Sequence, residues 1–415
     1  MGYLRRVLTD GAFVAFLVLV LLPVSLCALG KDPRKVYVLY TGDPYPGVTP
    51  YIPMREDAFI EVTAVQGSRD HWMGISWEDI HRSVRLYMPR TYRAFVDYFD
   101  VVILSDTNRR IFTADQHFWL KNGVLQEGMG LVMVGGLETF GAGFGYESWS
   151  GSPVEDVLPV TIPTSGPDWL GGGAPIKITP EGYSNPFIAS LPYRRLPEYM
   201  RIGTDGNIVY RKEGSTLLAY WSSAKYDNPP CYVTWEIEKA RTYAMMHDWT
   251  PNSGWIMSRW AYYGDYAINL MLYLANRPLP TDPVIVHEYR QLIHTLAIGK
   301  GTLFSLVDFV EGFGGNARPI LKEIGVFDQM VADAKEEYLN SDFNAALLKA
   351  QKAGEKLKEI DDLAVKVKNS ALMWVYVIEW FSVSGVSLVS GALMWSLMVK
   401  RKMYRDVGLT RGITR

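Results

Sequence analysis

Four apolar residues that end in paired glycines, Leu131-Val-Met-Val134 before Gly135-Gly136, constrain this chain most. A short, continuous apolar run reads as a strand buried on both faces, the kind found in parallel sheets covered by helices. The glycines at its end let backbone or ligand approach where a Cβ would clash. In open α/β sheets that carboxyl edge is where ligands bind. The segment Glu127–Val160 is thus read as a strand, a glycine-rich loop and a closing turn at Pro153–Pro159.

Neighbouring segments fit the same plan. Val36–Tyr40 and Val101–Leu104 are further apolar runs, and Phe59–Val65 alternates weakly. Trp77–Tyr98 has helical spacing interrupted by Pro89, which predicts two short helices. Thr113 opens a helix through Leu125 as its N-cap, with Gln116 at the capping-box position. Ser165–Pro175, rich in Gly and Pro, reads as an exposed excursion. Thr216–Trp221, Cys231–Ile237 and Arg241–His247 read as later strands, with an antiparallel turn at Glu238–Ala240. Tyr262–Asn276 reads as an amphipathic helix stopped by Arg277-Pro278. Strands separated by helices predict an α/β, three-layer sandwich with a mostly parallel, flavodoxin-like sheet over residues 34–278.

Beyond Asp282 the pattern becomes helical. Apolar residues fall at Ile320, Ile324, Phe327, Val331, Ala334 and Tyr338. After Asn340-Ser341-Asp342 they resume at Phe343, Ala346, Ala350, Ala353, Leu357, Ile360, Ala364 and Val367. Two heptad segments joined by a polar turn predict an α-helical hairpin, a stalk over residues 282–370. Its apolar face needs cover from a protein partner or from helices in Val284–Val310.

Two apolar runs bear on membranes. Arg5-Arg6 precede Ala12–Leu29, so residues 1–30 are a signal peptide or an N-terminal membrane anchor. Residues 371–399 read as a transmembrane helix, since Trp380–Val399 alone can cross about 30 Å of hydrocarbon. Trp374, Tyr376 and Trp380 would lie at one interface. Lys400-Arg401-Lys402 would lie at the other and put the basic tail, 400–415, in the cytoplasm. The globular domain would then be extracytoplasmic at the cell membrane. Ser384, Ser387 and Gly391 share a helix face that permits close packing with another helix. Glu379 lies at the edge of the span, where an interfacial position accounts for it.

With net charge −2 and no basic cluster outside the ends, nucleic acid is not an expected partner. Cys27 and Cys231 are the only cysteines, so stability must come from the core. Gly141-Ala-Gly-Phe-Gly145 matches neither a dinucleotide nor a P-loop pattern, and no cofactor is expected. His71, His81, His247, His287 and His294 show no spacing that would hold a metal.

The strand order and four segments carry a resemblance: Asp100-Val-Val-Ile-Leu-Ser-Asp106; Gly130-Leu-Val-Met-Val-Gly-Gly136; Gly151-Ser-Pro-Val-Glu-Asp-Val-Leu-Pro159; and Met246-His-Asp-Trp-Thr-Pro251 with Leu274-Ala275-Asn276. Across Val36–Arg277 the chain resembles the class I glutamine amidotransferase-like superfamily, closest to its membrane-associated branch. The resemblance implies a cysteine on the turn after a strand, activated by a His-x-Glu pair. Here that turn is Val134-Gly135-Gly136-Leu137, and no His-x-Glu follows. The chain therefore reads as a non-catalytic, membrane-anchored binding or scaffold module. Two alternatives stand beside it: a hydrolase of carbohydrate or envelope polymer using carboxylates, and a structural subunit of a membrane complex.

Candidate residues cluster at predicted strand ends. Asp43, Asp106, Glu138, Glu147 and Asp248 are the carboxylates there; solvated loop carboxylates are the plainer account. Asp106 and Glu138 would be the working pair, because both follow adjacent strands. The candidate ligand-binding set is Asp106, Gly135, Gly136, Glu138, His247 and Asp248. The aromatics Trp235, Trp249, Trp255, Trp260, Tyr262 and Tyr263 are expected to be mostly core. One or two near Trp249–Trp255 would be exposed, where they could stack on sugar rings or a protein partner.

Overall fold

The computed structural model describes residues 31–44, 49–68, 75–141, 146–165, 168–197, 202–203, 205–249 and 259–411. Residues 1–30, His71, Trp255 and the loop 142–145 lie outside these. The chain forms two compact units, Met1–His287 with Leu339–Ser341, and Glu288–Tyr338 with Asp342–Arg415.

In the first unit the strands of the main sheet are β1 (Val36–Gly42), β2 (Ile60–Gln66), β3 (Val101–Ser105), β4 (Gly130–Val134), β5 (Ala174–Ile178), β6 (Ile202–Gly203), β7 (Thr216–Trp221), β8 (Pro230–Ile237) and β9 (Ala240–Met245). They form one nine-stranded sheet in the order β2-β1-β3-β4-β9-β8-β7-β5-β6. The pairs from β2 through β9 are parallel, and those from β9 onward antiparallel. Only β8 and β5 therefore run against the rest. The register aligns the strand ends: Gly42 pairs with Gln66 and Ser105, and Val134 with Ser105 and Met245. One row of residues thus marks the carboxyl edge.

Helices cover both faces. Alternation along the strands sends Leu39, Val102, Leu104, Leu131 and Met133 into one core. Ile80 and Val84 of α2 (Trp77–Tyr87) join it, as do Phe95 of α3 (Tyr92–Tyr98) and Leu120 and Val124 of α4 (Ala114–Glu127). The capping box at Thr113 and Gln116 is formed on both sides, and Gly128 ends α4 in the left-handed conformation. On the other face lie the short α1 (Tyr51–Glu56) and α5 (Tyr263–Leu274).

Helix α5 is not amphipathic as its pattern suggests; every residue from Asp265 to Leu274 is buried. Its Tyr266 hydroxyl meets that of Tyr243 on β9 at 2.9 Å, while Phe187 packs edge-on against the same ring at 5.0 Å. The sheet covers one side and the segment around Phe187 another, so the polar stripe has no water to face. The described residues of the Gly/Pro-rich excursion are mostly exposed or half-buried, as expected, and they also carry short paired strands. Trp169–Leu170 pairs with Gly206–Asn207, and Ala174 and Pro175 begin β5.

The second unit is built from most of α6 (Pro283–Gly312) and α7 (Arg318–Leu339) and all of α8 (Phe343–Arg411). The expected hairpin is α7 and the start of α8, turning at Ser341 with φ 64°. Helix α6 completes it as a three-helix bundle. Leu296, Leu303, Val307 and Val310 are buried with Ile320, Ile324 and Phe327 of α7 and Ala346, Ala350, Ala353 and Leu357 of α8. Small residues allow close approach: a Cβ built on Gly299 would stand 2.6 Å from Leu357. Helix α8 then continues unbroken for 69 residues, about 100 Å at the usual rise. Both α6 and α8 are long and apolar enough to cross a membrane; the apolar window of α8 is wholly exposed, while 28% of that in α6 is buried. Ser384, Ser387 and Gly391 lie on the exposed part of α8.

Candidate functional site

At the aligned strand ends, the loops after β1, β2, β3, β4 and β9 meet. Gly42 closes β1 with φ +111°, and a Cβ there would stand 1.6 Å from the Ser105 carbonyl oxygen, so only glycine fits. Its carbonyl accepts from the N–H groups of Gly67 (2.7 Å) and Ser68 (3.0 Å), drawing the β2 loop in. Asn108 N–H in turn donates to the Gly67 carbonyl at 2.8 Å.

The two carboxylates singled out from the sequence come together here. The backbone N–H of Glu138 donates to Asp106 Oδ1 at 2.7 Å. Ser68 Oγ donates to Glu138 Oε1 at 3.0 Å and lies 3.5 Å from Asp106 Oδ2. Asn108 Nδ2 donates to the other Glu138 oxygen. Asp106 adopts φ 45°, a left-handed conformation that Asp tolerates better than most residues. Gly136 is needed beside it, because a Cβ there would stand 2.3 Å from Asp106 Oδ1.

Contrary to the solvated-loop account, Asp43, Asp106 and Glu138 are only 6%, 8% and 1% exposed. Their burial is tolerable because each accepts hydrogen bonds from the protein. Ser105 Oγ donates to Asp43 Oδ1 at 2.6 Å, and Trp249 Nε1 donates to Ser105 Oγ at 2.9 Å. Burial, then the nearby Asp248 and Asp106 carboxylates, push the Asp43 carboxyl well above its ordinary range. Glu147 is different: it is half-exposed and paired with Arg110 at 2.9 Å.

Trp249 is fully buried, not exposed, stacking on Tyr40 with ring centroids 6.0 Å apart. It sits in the edge of the core because its indole N–H finds partners in Tyr40 and Ser105. Trp149 acts similarly. Its Nε1 donates to the carbonyls of Thr107 (3.0 Å) and Glu138 (3.1 Å), tying the β3 and β4 loops together.

His247 is also buried. Its Nδ1 lies 2.8 Å from the Asp248 carbonyl oxygen, which can only accept. Nδ1 therefore carries the proton, and the Tyr232 hydroxyl donates to Nε2 at 2.8 Å. Burial lowers the His247 pKa to about 4, so the ring is neutral near pH 7. Its ring stands edge-on to Trp221 and Tyr232, and it shapes the turn from which half-buried Asp248 emerges.

The paired glycines are packed against the chain itself. Gly135 N–H donates to the Met245 carbonyl at 2.7 Å, and a Cβ on Gly135 would stand 2.3 Å from the Met246 carbonyl oxygen. Gly136 N–H donates to Asn207 Oδ1 at 3.1 Å, while Asn207 Nδ2 returns to the carbonyls of Gly136 and Thr139, each at 3.3 Å. Sequence reasoning missed Ser68, Ser105, Asn108, Asn207 and Trp149. Ser105 reads only as the polar end of β3 and the others as ordinary loop residues, and only pairing across the sheet edge gives them roles. Among the described residues, no group of three His, Cys, Asp or Glu side chains is arranged to hold a metal ion.

No family model matches the chain, and no curated protein does. Solved structures similar to it include Cytoplasmic Protein STM1381 from Salmonella typhimurium LT2, with TM-score 0.44 and 17% identity over 58% of this chain and 99% of that one. Cytoplasmic Protein STM3548 from Salmonella typhimurium has TM-score 0.42 and 16% identity over 57% and 98%. A GH42 β-galactosidase from G. stearothermophilus has TM-score 0.30 and 12% identity, and the likeness spans 60% of this chain but 31% of the enzyme.

Proposed function

We propose that this chain is a membrane-anchored, extracytoplasmic binding or scaffold module with a glutamine amidotransferase-like domain and no amidotransferase chemistry. The order β2-β1-β3-β4-β9 is the flavodoxin-like 2-1-3-4-5 arrangement, with a late strand in fifth place and helices on both faces, which supports the three-layer reading. The observation that carries the non-catalytic reading is the turn after β4. Where the resemblance implies a cysteine thiol, Gly135 abuts the Met246 carbonyl. The N–H that would serve an oxyanion, on Gly136, is engaged by Asn207. Cys231 is buried elsewhere on β8, and burial pushes its thiol up, away from the reactive thiolate.

Membrane anchoring rests on α8, whose exposed apolar stretch is followed by Lys400-Arg401-Lys402. The bundle around the first half of α8 serves as the stalk. Two tests bear on the proposal. The full-length chain should stay with membranes in alkaline carbonate and come out in mild detergent; release by carbonate excludes a span. The extracted protein should release no ammonia from glutamine; turnover that disappears with one residue change ends the non-catalytic reading.

A second reading keeps one specific support: Asp106 and Glu138 meet at the carboxyl edge, with Asp43 and Asp248 nearby. This is a hydrolase of sugar polymers using carboxylates. It predicts turnover of a glycan substrate that Asp106→Asn and Glu138→Gln each abolish while the far-ultraviolet circular dichroism is kept.

A further inference from the structure

The three-helix bundle ends in an aromatic knuckle. Residues Gly312-Phe313-Gly314-Gly315 turn from α6 into α7, and Gly314 adopts φ +72°. Phe309 and Phe313 pack together with ring centroids 4.7 Å apart, yet both remain over 40% exposed. Exposed phenylalanines at a water-facing turn are costly unless something apolar covers them.

The level of this turn along α8 is set by close contacts. Gly299 of α6 stands against Leu357, Gly354 of α8 against Leu296, and Gly315 against Ala371. Helix α6 therefore runs alongside the first half of α8, and the knuckle lies beside Ala371, the first residue of the expected span. Trp374 follows three residues later, about 4.5 Å along the axis. The helix surface below, at Trp374, Tyr376, Trp380 and Phe381, is exposed and aromatic. The same register decides the role of α6. It lies beside the charged stretch Lys349–Lys368 of α8, which cannot sit in hydrocarbon, so α6 belongs to the stalk although it is apolar enough to span.

From this continuity we infer that Phe309 and Phe313 form a second membrane contact, entering the interfacial layer of the bilayer beside the Trp374–Trp380 belt. This rests on α8 spanning the membrane. Aromatic side chains favour that layer. Two points of attachment, the span and the knuckle, would restrain the tilt of the stalk in a way a single helix cannot.

The test uses the full-length chain with Cys27→Ala and Cys231→Ala, in phosphatidylcholine–phosphatidylglycerol vesicles. Single cysteines at Gly312, Gly325 or Gly391 carry an environment-sensitive fluorophore; a side chain built at each of these glycines meets nothing within 4 Å. Gly391→Cys should lose emission to nitroxides deep in the acyl chains. Gly312→Cys should lose it to nitroxides near the headgroups, and Gly325→Cys to neither. Phe309→Ser with Phe313→Ser should abolish the loss at 312 while leaving those at 325 and 391 unchanged. A label at 312 that behaves like the one at 325, with 391 still quenched, overturns the knuckle contact and leaves the span. A label at 391 that no lipid quenches overturns both. Quenching at 312 that survives the double serine variant also overturns the assignment to the two rings.

Discussion

The backbone N–H of Glu138 donates to Asp106 Oδ1 at 2.7 Å, joining two residues 32 apart in the chain. The bond forms because β3 and β4 are parallel neighbours whose ends are in register, Ser105 opposite Val134. It makes the pair a clasp between two loops, with carboxylate oxygens that accept from Ser68, Asn108 and the Glu138 backbone.

Gly136→Ala should destabilise the first unit by about 2–3 kcal/mol, because the new methyl would overlap Asp106 Oδ1. Asp106→Ala should cost about 2 kcal/mol by orphaning the Glu138 N–H and placing alanine at positive φ. The double variant should cost about 1 kcal/mol less than the two separately, since removing the carboxylate makes room for the methyl. Asp106→Asn keeps an acceptor and suits the backbone, so it should cost under about 1 kcal/mol. Urea denaturation of the four proteins measures all of this; strict additivity rejects the clasp.

Acid should weaken the fold through His247. Its folded pKa of about 4 lies below the ordinary 6.5, so between those values the unfolded chain binds a proton that the native ring does not. The contribution is complete above pH 6.5 and lost as pH falls towards 4, roughly 3 kcal/mol at about 1.4 kcal/mol per pH unit. His247→Gln should flatten this limb relative to the unsubstituted protein. Equal slopes in the two proteins, by denaturant midpoint at several pH values, reject it.

Asp43 acts with the opposite sign. Its carboxyl is raised, so the native state holds a proton that the unfolded chain has lost. That contribution is complete below the ordinary value of 3.8 and fades as pH rises through the raised folded value. Asp43→Asn resembles the protonated acid beside Ser105, and should gain stability over the unsubstituted protein as pH rises. A gap between the two that is constant with pH would mean that Asp43 is ionised throughout.

In the bundle, Gly299→Val should lower stability by about 2 kcal/mol through overlap with Leu357. Gly325→Ala, at an open helical position of α7, should raise it by about 0.5–1 kcal/mol. Thermal melts followed by helical circular dichroism separate them; equal effects would mean that α6 does not pack on α8 at Gly299.

Local chemistry was legible wherever it is decided by neighbours in the chain. Apolar runs bounded by glycine or polar turns placed β1, β3 and β4. Pro89 divided α2 from α3, and Thr113 with Gln116 began α4. The break at Asn340-Ser341-Asp342 separated α7 from α8. These features need only backbone sterics, capping bonds and side-chain periodicity.

What the sequence by itself determined, then, is the alternation of strands and helices, the long terminal helix with its apolar stretch, and the absence of a nucleophile at Gly135-Gly136. Tertiary structure alone decided that Asp43, Asp106 and Glu138 are buried and bonded to serine and asparagine side chains from distant loops. It alone decided that Trp249 and residues Asp265 to Leu274 of α5 are buried, and that α6 closes the bundle. Each of these depends on which surfaces meet when non-adjacent segments pack. Burial and hydrogen-bond pairing are properties of that meeting, and one-dimensional periodicity does not carry them.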